Sequence, residues 1–203
     1  MEIDFESLRR MIIEDRTVRR FQESRRVPKE TLKDLVELTR YCHSGRNAQP
    51  LRYVAISDEE MCDKVFPTLK WAGYFKDWDG PEPGERPVAY LIQCLDTKYG
   101  QDCLCDDGLQ LEVISLGMRT LGLGGCIIKA FHAPLLAEIL GIEERFKPRY
   151  VMAIGYPVEE VCIEDMSGDE DADFKYYRTA DGVHHVPKRK LSELLLGEGF
   201  GNE

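Results

Sequence analysis

Five arginines lie within the eleven residues from Arg16 to Arg26, although the whole chain carries a formal net charge of −10. In the stretch "RTVRRF", Arg16, Thr17 and Arg19 are close enough in sequence to converge, with backbone N–H groups, on one anion. Arginine suits a phosphate because its planar guanidinium donates two parallel hydrogen bonds. Taken alone, the cluster is more typical of a solvated charged loop, and a nucleic-acid patch is a third interpretation. Arg25 and Arg26, beside a proline turn, are expected to be solvated.

A second segment with binding chemistry is the turn "SGRNAQP" at residues 44–50. Small residues such as Ser44 and Gly45 let the backbone approach a ligand closely. Asn47 and Gln49 each offer a hydrogen-bond donor and an acceptor, which suits the polar edge of a flat heterocycle. Taken alone, the segment is equally explained as a helix end followed by turn residues, and that is the favoured local interpretation.

Two further segments are weaker signals. The stretch "GLGGCIIKAF" at 122–131 lacks both GxGxxG and GxxxxGK[ST], so neither nucleotide-binding motif is met. Tight packing of a helix on a sheet would explain Gly124 and Gly125 without a ligand. A second basic cluster, Lys188, Arg189 and Lys190, lies far away in sequence, and its alternative interpretation is a solvated terminus.

Other classes of site find little support in the sequence. The histidines have neither helical i,i+4 spacing nor an HExxH motif, so we predict no metal site; they are His43, His132, His184 and His185. The seven cysteines lack CxxC spacing, which favours buried, reduced thiols in a cytoplasmic protein. The negative charge argues against nucleic-acid binding. No apolar run approaches the roughly 20 residues of a membrane span, and the amino terminus does not resemble a secretory signal.

The elements that must position these residues alternate between helical and strand patterns. Amphipathic helices are predicted at 4–14, capped by Asp4, and after Pro28; a helix at 58–66 is predicted from the capping box "SDEE". Strands are predicted at 51–57, 88–95 and 149–157, with a short strand near "GCII". Residues 106–122 predict a helix buried on nearly all sides. We expect one layered domain, with 164–174 as an exposed acidic loop.

In this order the motifs resemble the FMN-dependent nitroreductase family. The resemblance rests on "RTVRRF", "SGRNAQPLRY", the long apolar helix ending in "LGLGG", the strand end "IGYP" and the basic segment "VPKRKL", and it spans essentially the whole chain. It implies an α+β fold, a three-layer sandwich with a central mixed sheet flanked by helices. It also implies a single flavin-binding domain over residues 1–203 and an intertwined homodimer with two FMN sites at the interface.

The resemblance carries roles for individual residues. Arg16, Thr17 and Arg19 would contact the flavin phosphate and ring oxygens. Ser44, Gly45, Asn47 and Gln49 would lie along the ring or the ribityl chain. Lys188 and Lys190, with Arg189, would complete the cationic phosphate site. Ile128, Lys129 and Ala130 would bring their backbone close to flavin N5. No catalytic side chain is assigned, because the cofactor carries the reaction.

Three departures from the family pattern bear on the site. Asp15 stands where many members have a basic residue, so its carboxylate is expected to point away from the phosphate. Leu51 replaces a tryptophan after the turn, and Lys129 replaces a glutamate near flavin N5. We still expect FMN to bind despite these changes, and we expect them to affect which substrates the pocket accepts.

The expected activity is electron transfer from NADH or NADPH to a nitroaromatic, a quinone or a flavin by a ping-pong mechanism. The pocket would be walled by Trp71, Tyr74 or Phe75, although these aromatic residues are as readily explained as core. Two alternatives are a flavin-binding protein or specialised flavin-consuming enzyme without general reductase activity, and a non-enzymatic α/β domain that binds an acidic partner through its arginines.

Overall fold

The structure is a computed structural model that describes residues 4–166, 174–195 and 197. The chain forms two compact units. The first comprises Met1–Gly73 with Asp77–Val158, and the second comprises Tyr74–Lys76 with Glu159–Glu203. That the whole chain works as a single domain stays a prediction. Of the helices in the described residues, none is both long and apolar enough to cross a membrane.

The first unit contains five α-helices and a four-stranded sheet among the described residues. The helices are α1 Phe5–Glu14, α2 Lys29–Leu38, α3 Glu59–Val65, α4 Asp106–Thr120 and α5 Ala133–Leu140; the strands are β1 Leu51–Ile56, β2 Ala89–Asp96, β3 Gly124–Ile128 and β4 Phe146–Gly155. The strand order is β1-β2-β4-β3, and every neighbouring pair is antiparallel. The prediction of a mixed sheet is therefore wrong for these four strands.

The core of the first unit lies between this sheet and helices α2 and α4. Alternate residues of β2 and β4, among them Leu91 and Met152, pack against Leu32 and Leu35 of α2 and Ile114 of α4. Every residue of β2 is buried, as its unbroken apolar run predicts. This packing fixes α4, and with it the acidic residues of its first turn, above the middle of the sheet.

Several helix ends follow from local chemistry. Asp4 caps α1 by accepting a hydrogen bond from the Ser7 N–H at 2.7 Å. Gly141 ends α5 in the left-handed conformation that glycine adopts without strain. The predicted cap of α3 is corrected by one residue, because Asp58 rather than Ser57 accepts from the Met61 N–H.

The arginine-rich segment is extended and runs along the end of the sheet. The Val18 N–H donates to the Gly125 carbonyl at 2.9 Å, and the Gln22 N–H donates to the Tyr156 carbonyl at 2.8 Å. Close packing needs glycine here, because a Cβ on Gly125 would lie 2.8 Å from the Ala153 carbonyl oxygen and 2.8 Å from Met118 Cε. Packing of α4 on the sheet is thereby confirmed as an explanation for Gly125. A Cβ on Gly124 would instead meet Pro157 Cγ at 2.8 Å and Val18 Cγ2 at 3.2 Å, so close packing explains this glycine too, but without the helix.

The second unit contains a three-stranded sheet that the sequence did not predict. Its strands are β5 Val161–Asp165, β6 Tyr177–Arg178 and β7 His184–Lys188, followed by the short helix α6 Leu191–Leu194. The order is β5-β7-β6; β5 is parallel to β7, and β6 is antiparallel to it. The predicted acidic loop at 164–174 begins within β5, and its residues 167–173 lie outside the described part of the chain.

Two expectations about burial are corrected. Helix α4 is buried on one side only, since Leu109 is exposed while Leu111, Ile114 and Met118 are buried; Leu121, which follows the helix, is exposed as well. The cysteines are not all buried either, because Cys105 and Cys162 are exposed.

Candidate functional site

The arginine-rich segment distributes its charges among different partners. Arg16 donates to the Ile12 carbonyl at 2.7 Å, and its Nε is buried without a hydrogen-bond partner among the described residues. Thr17 is exposed, and Arg19 is buried with only 8% of its surface exposed. Arg20 forms a two-pronged ion pair with Glu85, at 2.6 and 2.5 Å. Arg16, Thr17 and Arg19 therefore remain as the site candidates.

The last two arginines are exposed, yet they are not simply solvated as predicted. The Arg25 guanidinium lies 3.4 Å from the centre of the Tyr156 ring, and Arg26 donates to the Ser57 carbonyl at 2.8 Å. Both contacts tie this segment to the rest of the first unit. The local charge density available to an anion is correspondingly lower than the count of five arginines indicates.

The Asp15 carboxylate is directed to helix α4. Its Oδ1 accepts a hydrogen bond from the Ser115 hydroxyl at 2.9 Å, across 100 residues of sequence. The α1 helix ends at this residue, and the Asp15 N–H closes the last turn on the Met11 carbonyl. Asp15 therefore holds the end of α1 against α4, which gives this departure from the family pattern a structural role.

The turn at residues 44–50 is organised by a carboxylate that the sequence analysis missed. Asp106, 1% exposed, accepts from the Ser44 hydroxyl at 2.6 Å and from the Gly45 N–H at 2.8 Å. The Ser44 oxygen accepts in turn from the Gln49 N–H at 2.9 Å. Because their donors are used in this way, Ser44 and Gly45 fix the turn, while the side chains of Asn47 and Gln49 stay exposed.

Backbone strain marks the same turn. Arg46, Asn47 and Gln49 have φ angles of 55°, 52° and 47°, a left-handed conformation that asparagine tolerates but that is costly for arginine and glutamine. The Gln49 side chain donates to the Asn47 carbonyl and to Asn47 Oδ1, which partly offsets this cost. Arg46, absent from the predicted site, is exposed at this turn and adds a cation to the candidates.

The segment predicted to approach flavin N5 follows directly from strand β3. Ile128 is buried, whereas Lys129 and Ala130 are exposed. The Lys129 ammonium lies 4.2 Å from the centre of the Tyr150 ring. The Lys70 N–H donates to the Ala130 carbonyl at 2.9 Å, so residues near Trp71 run beside this segment.

A buried polar network lies beneath the first turn of α4. Asp107 accepts from Arg149 at 2.9 and 3.2 Å, and the Gln93 amide donates to the Tyr53 hydroxyl at 2.8 Å. Burial acts to raise the pKa of Asp107, but hydrogen bonds from Arg149 and Cys103 outweigh it, so its pKa lies below the ordinary value. Burial raises the pKa of Tyr53, which keeps its phenol protonated. The network anchors α4, and through Asp106 the turn at 44–50.

The C-terminal basic residues belong to the second unit. Lys188, Arg189 and Lys190 are exposed, and Arg189 pairs with Glu193 at 3.1 Å. The Met166 N–H donates to the Lys188 carbonyl at 2.8 Å, which fixes the backbone at the end of β7. That these cations meet the N-terminal arginines around one phosphate stays a prediction.

The three aromatic residues named as pocket walls have different environments. Trp71 is buried against Phe66 and Trp78, so it is a core residue. Tyr74 is 45% exposed, and Phe75 packs on His184 in the second unit. Among the described residues, no group of three or more His, Cys, Asp or Glu side chains could hold a metal ion.

Comparison with known proteins agrees with this fold. Residues 12–82 match the model of the Nitroreductase family. Similar solved structures include an FMN-dependent nitroreductase from Clostridium difficile, with 18% identity over 84% of this chain and 97% of that chain and a TM-score of 0.62. A nitroreductase family protein from Clostridium novyi has 15% identity, coverage of 77% and 86%, and a TM-score of 0.61. An NADPH:FMN oxidoreductase from Vibrio harveyi, complexed with NAD⁺, has 19% identity, coverage of 74% and 68%, and a TM-score of 0.58.

No curated protein sequence matches the chain. The resemblance to the nitroreductase family that the motifs predict is nevertheless confirmed by the family model and by these structures. The chain has a nitroreductase-like α+β fold.

Proposed function

We propose that this chain is an FMN-dependent oxidoreductase that accepts electrons from NADH or NADPH and passes them, by a ping-pong mechanism, to a nitroaromatic, quinone or flavin acceptor. The names of the similar structures support this proposal, since they include an FMN-dependent nitroreductase and an NADPH:FMN oxidoreductase. The family match covers the arginine-rich segment and the turn at 44–50.

One observation carries the proposal: the turn at 44–50 is strained, yet its start is fixed by a buried carboxylate. The left-handed backbone is unfavourable for Arg46 and Gln49, although asparagine tolerates it, and Asp106 anchors the turn through hydrogen bonds from the Ser44 hydroxyl and the Gly45 N–H. In this turn the side chains of Asn47 and Gln49 face outward, and the Gln49 amide donates a hydrogen bond to Asn47 Oδ1. An exposed, preorganised pair of amides suits the edge of a flat heterocycle.

The chemical types of the remaining residues fit FMN. Arg16, Thr17 and Arg19, together with Lys188, Arg189 and Lys190, supply cations and a hydroxyl suited to a phosphate dianion. The buried Nε of Arg16 has no hydrogen-bond partner within the described residues, which is a donor that a ligand oxygen would satisfy.

Bound FMN would accept hydride from a nicotinamide and deliver electrons to the acceptor. The chain's own residues would bind and orient the FMN. Ser44 and Gly45 act through the shape of the turn, and Asn47 and Gln49 contact the ring or ribityl chain. Ile128, Lys129 and Ala130 would bring their backbone close to the ring at N5. A cation near N1 and O2 of the ring would favour its negatively charged, reduced form, and so favour uptake of electrons.

The proposal includes an intertwined homodimer in which each FMN site is lined by both subunits, a three-layer sandwich, a single flavin-binding domain and a cytoplasmic location. The dimer accounts for the apolar side chains that α1 exposes, among them Phe5 and Ile13.

Isolation of the protein tests the central claim. Purified chain is expected to be yellow and to release FMN on denaturation, and anaerobic NADH or NADPH is expected to bleach it. A colourless protein that added FMN cannot restore contradicts the proposal. A yellow protein that neither nicotinamide bleaches favours the alternative of a flavin-binding protein without general reductase activity.

The phosphate site is tested by Arg19→Ala and Lys188→Ala. Each is expected to weaken FMN binding about ten- to a hundred-fold, because a charge-assisted hydrogen bond is worth roughly 1.5–3 kcal/mol. Arg10→Ala, which removes an exposed arginine of α1, is the matched control and should retain FMN normally. Unchanged FMN affinity in both site variants would reject a shared phosphate site at the two ends of the chain.

A further inference from the structure

The second unit contains an aromatic cleft with a volume of about 410 Å³. Half of its lining is tyrosine; the lining residues are Tyr74, Glu164, Lys175, Tyr176, Tyr177 and Pro187. The Tyr74 and Tyr177 side chains are 45% and 43% exposed. Contiguous exposed rings around a concave surface are a feature of binding sites rather than of an ordinary surface.

The rings are supported by an aromatic cluster around one buried histidine. Tyr176 packs on Phe75 with ring centres 5.3 Å apart and on His184 at 5.2 Å. His184 is 1% exposed, and Phe75 and Tyr176 are half-buried. Tyr74 leans on Tyr176, with ring centres 4.9 Å apart and planes inclined at 57°. The exposed ring of Tyr74 is therefore placed by packing and does not depend on a ligand.

A carboxylate stands at the same cleft in a fixed orientation. Glu164 Oε2 accepts from the Tyr177 hydroxyl at 3.1 Å and lies 3.3 Å from His185 Nδ1. The Tyr177 ring stacks on the His185 ring, with centres 4.8 Å apart and planes 6° from parallel. Both contacts use Oε2, and no hydrogen bond to Oε1 is seen among the described residues. The Glu164 end of the cleft thus combines electron-rich ring faces with a negative charge.

We propose that this cleft binds a compact organic cation of the alkylammonium class. Aromatic faces attract such cations through their quadrupoles, and the attraction is strongest for groups that water solvates weakly. The Glu164 carboxylate supplies the counter-charge. Lys175 also lines the cleft, and since like charges repel, the cation is placed at the end formed by Glu164 and Tyr177. None of the residues that line this cleft is among the proposed FMN contacts, although Tyr74 is also a candidate wall of the substrate pocket. The proposal does not depend on the flavin function.

Titration with tetramethylammonium tests the proposal on the full-length protein as purified, with its flavin content measured. Tyrosine ring resonances in a protein with ¹³C-labelled tyrosine are expected to shift saturably at millimolar concentration. The neutral, similarly sized tert-butanol is expected to cause no saturable shift. No saturable shift with the cation, or equal affinity for the two probes, overturns the proposal.

Two variants locate the site. Glu164→Gln removes the charge while keeping the shape and is expected to weaken tetramethylammonium binding about fivefold. Tyr74→Leu removes one ring face and is expected to weaken it about threefold. Asp165→Asn is the matched control, since consecutive residues of β5 point to opposite faces of the sheet. Binding that is unchanged in Glu164→Gln and Tyr74→Leu, or equally reduced in folded Asp165→Asn, contradicts the proposal.

Discussion

At the scale of single residues, the shape of the turn at 44–50 depends on Asp106. This carboxylate is buried at the first residue of α4 and accepts two hydrogen bonds, from the Ser44 hydroxyl and the Gly45 N–H. Asparagine in its place has only one acceptor oxygen, so its NH₂ group would face one of these donors. Asp106→Asn is expected to lower the free energy of unfolding by about 1–3 kcal/mol, measured by urea denaturation.

The same variant, Asp106→Asn, also tests whether Asp106 positions the turn for FMN binding in addition to stabilising the fold. Asp34→Asn, an exposed aspartate on α2, is the control and should change stability little. If the turn contacts FMN, Asp106→Asn also weakens FMN binding under conditions where the protein is fully folded. Wild-type stability in Asp106→Asn would show that the turn keeps its strained shape without the carboxylate.

A second aspartate gives a prediction about pH. Burial acts to raise the pKa of Asp107. Hydrogen bonds from Arg149 and Cys103 lower it by a larger amount, so the net pKa lies below its ordinary value of 3.8. Because the folded pKa is depressed, the stabilisation is complete above that ordinary value and is lost as pH falls through the folded pKa. Asp107→Asn should remove on the order of 1 kcal/mol at neutral pH and less in acid. Parallel stability–pH curves for wild type and variant between about pH 2 and 6 would refute this.

The site residues could be predicted from the sequence where all of their partners lie within a few residues of one another. Asn47 and Gln49 stand in a turn whose composition is visible in seven consecutive residues, and the structure places both side chains at the surface. Asp106 was missed because its hydrogen bond to the Gly45 N–H joins residues 61 positions apart. Acidic residues such as Asp106 and Asp107 are common in the first turn of a helix, where they are usually solvated. Only the tertiary structure therefore shows that Asp106 is buried and holds the turn.

At the scale of elements, two glycines differ in whether the surrounding structure leaves room for a side chain. A Cβ on Gly125 of β3 would meet the Ala153 carbonyl oxygen and Met118 Cε, each at 2.8 Å, whereas one on Gly108 of α4 would meet nothing within 4 Å. Gly125→Ala is expected to destabilise the protein by about 1–3 kcal/mol through overpacking. Gly108→Ala is expected to stabilise it by about 0.5–1 kcal/mol, because alanine loses less backbone entropy in a helix. Thermal unfolding of the pair checks the signs, and equal shifts would be inconsistent with this packing.

The elements of the first unit were predictable because each carries a strong internal pattern. The apolar run at 88–95 and the amphipathic helix that begins after Pro28 need no tertiary information. The second unit lacks such patterns. Its strand β6 has two residues, and β5 mixes apolar and acidic residues, so pairing with β7 rather than local propensity makes them strands.

At the scale of the whole molecule, α1 is an amphipathic helix that buries no residue in its own chain. Its apolar side chains remain exposed, with Phe5 at 74% and Leu8 at 38%. Exposed apolar surface of this kind is stabilised by burial in a protein interface. If the proposed homodimer uses this face, Phe5→Glu with Leu8→Glu should weaken self-association on the order of 100-fold or more, because each buried side chain contributes roughly 1.5–3 kcal/mol.

Analytical ultracentrifugation measures this effect directly. The wild-type chain is expected to sediment as a dimer and the double variant as a monomer. Ser7→Glu adds one such negative charge on the opposite side of α1 and serves as the control. Because each proposed FMN site is lined by both subunits, the monomeric variant should also lose FMN while keeping its helical circular dichroism. A folded monomer that retains FMN with wild-type affinity would place the whole site within one chain, and a double variant that stays dimeric would remove α1 from the interface.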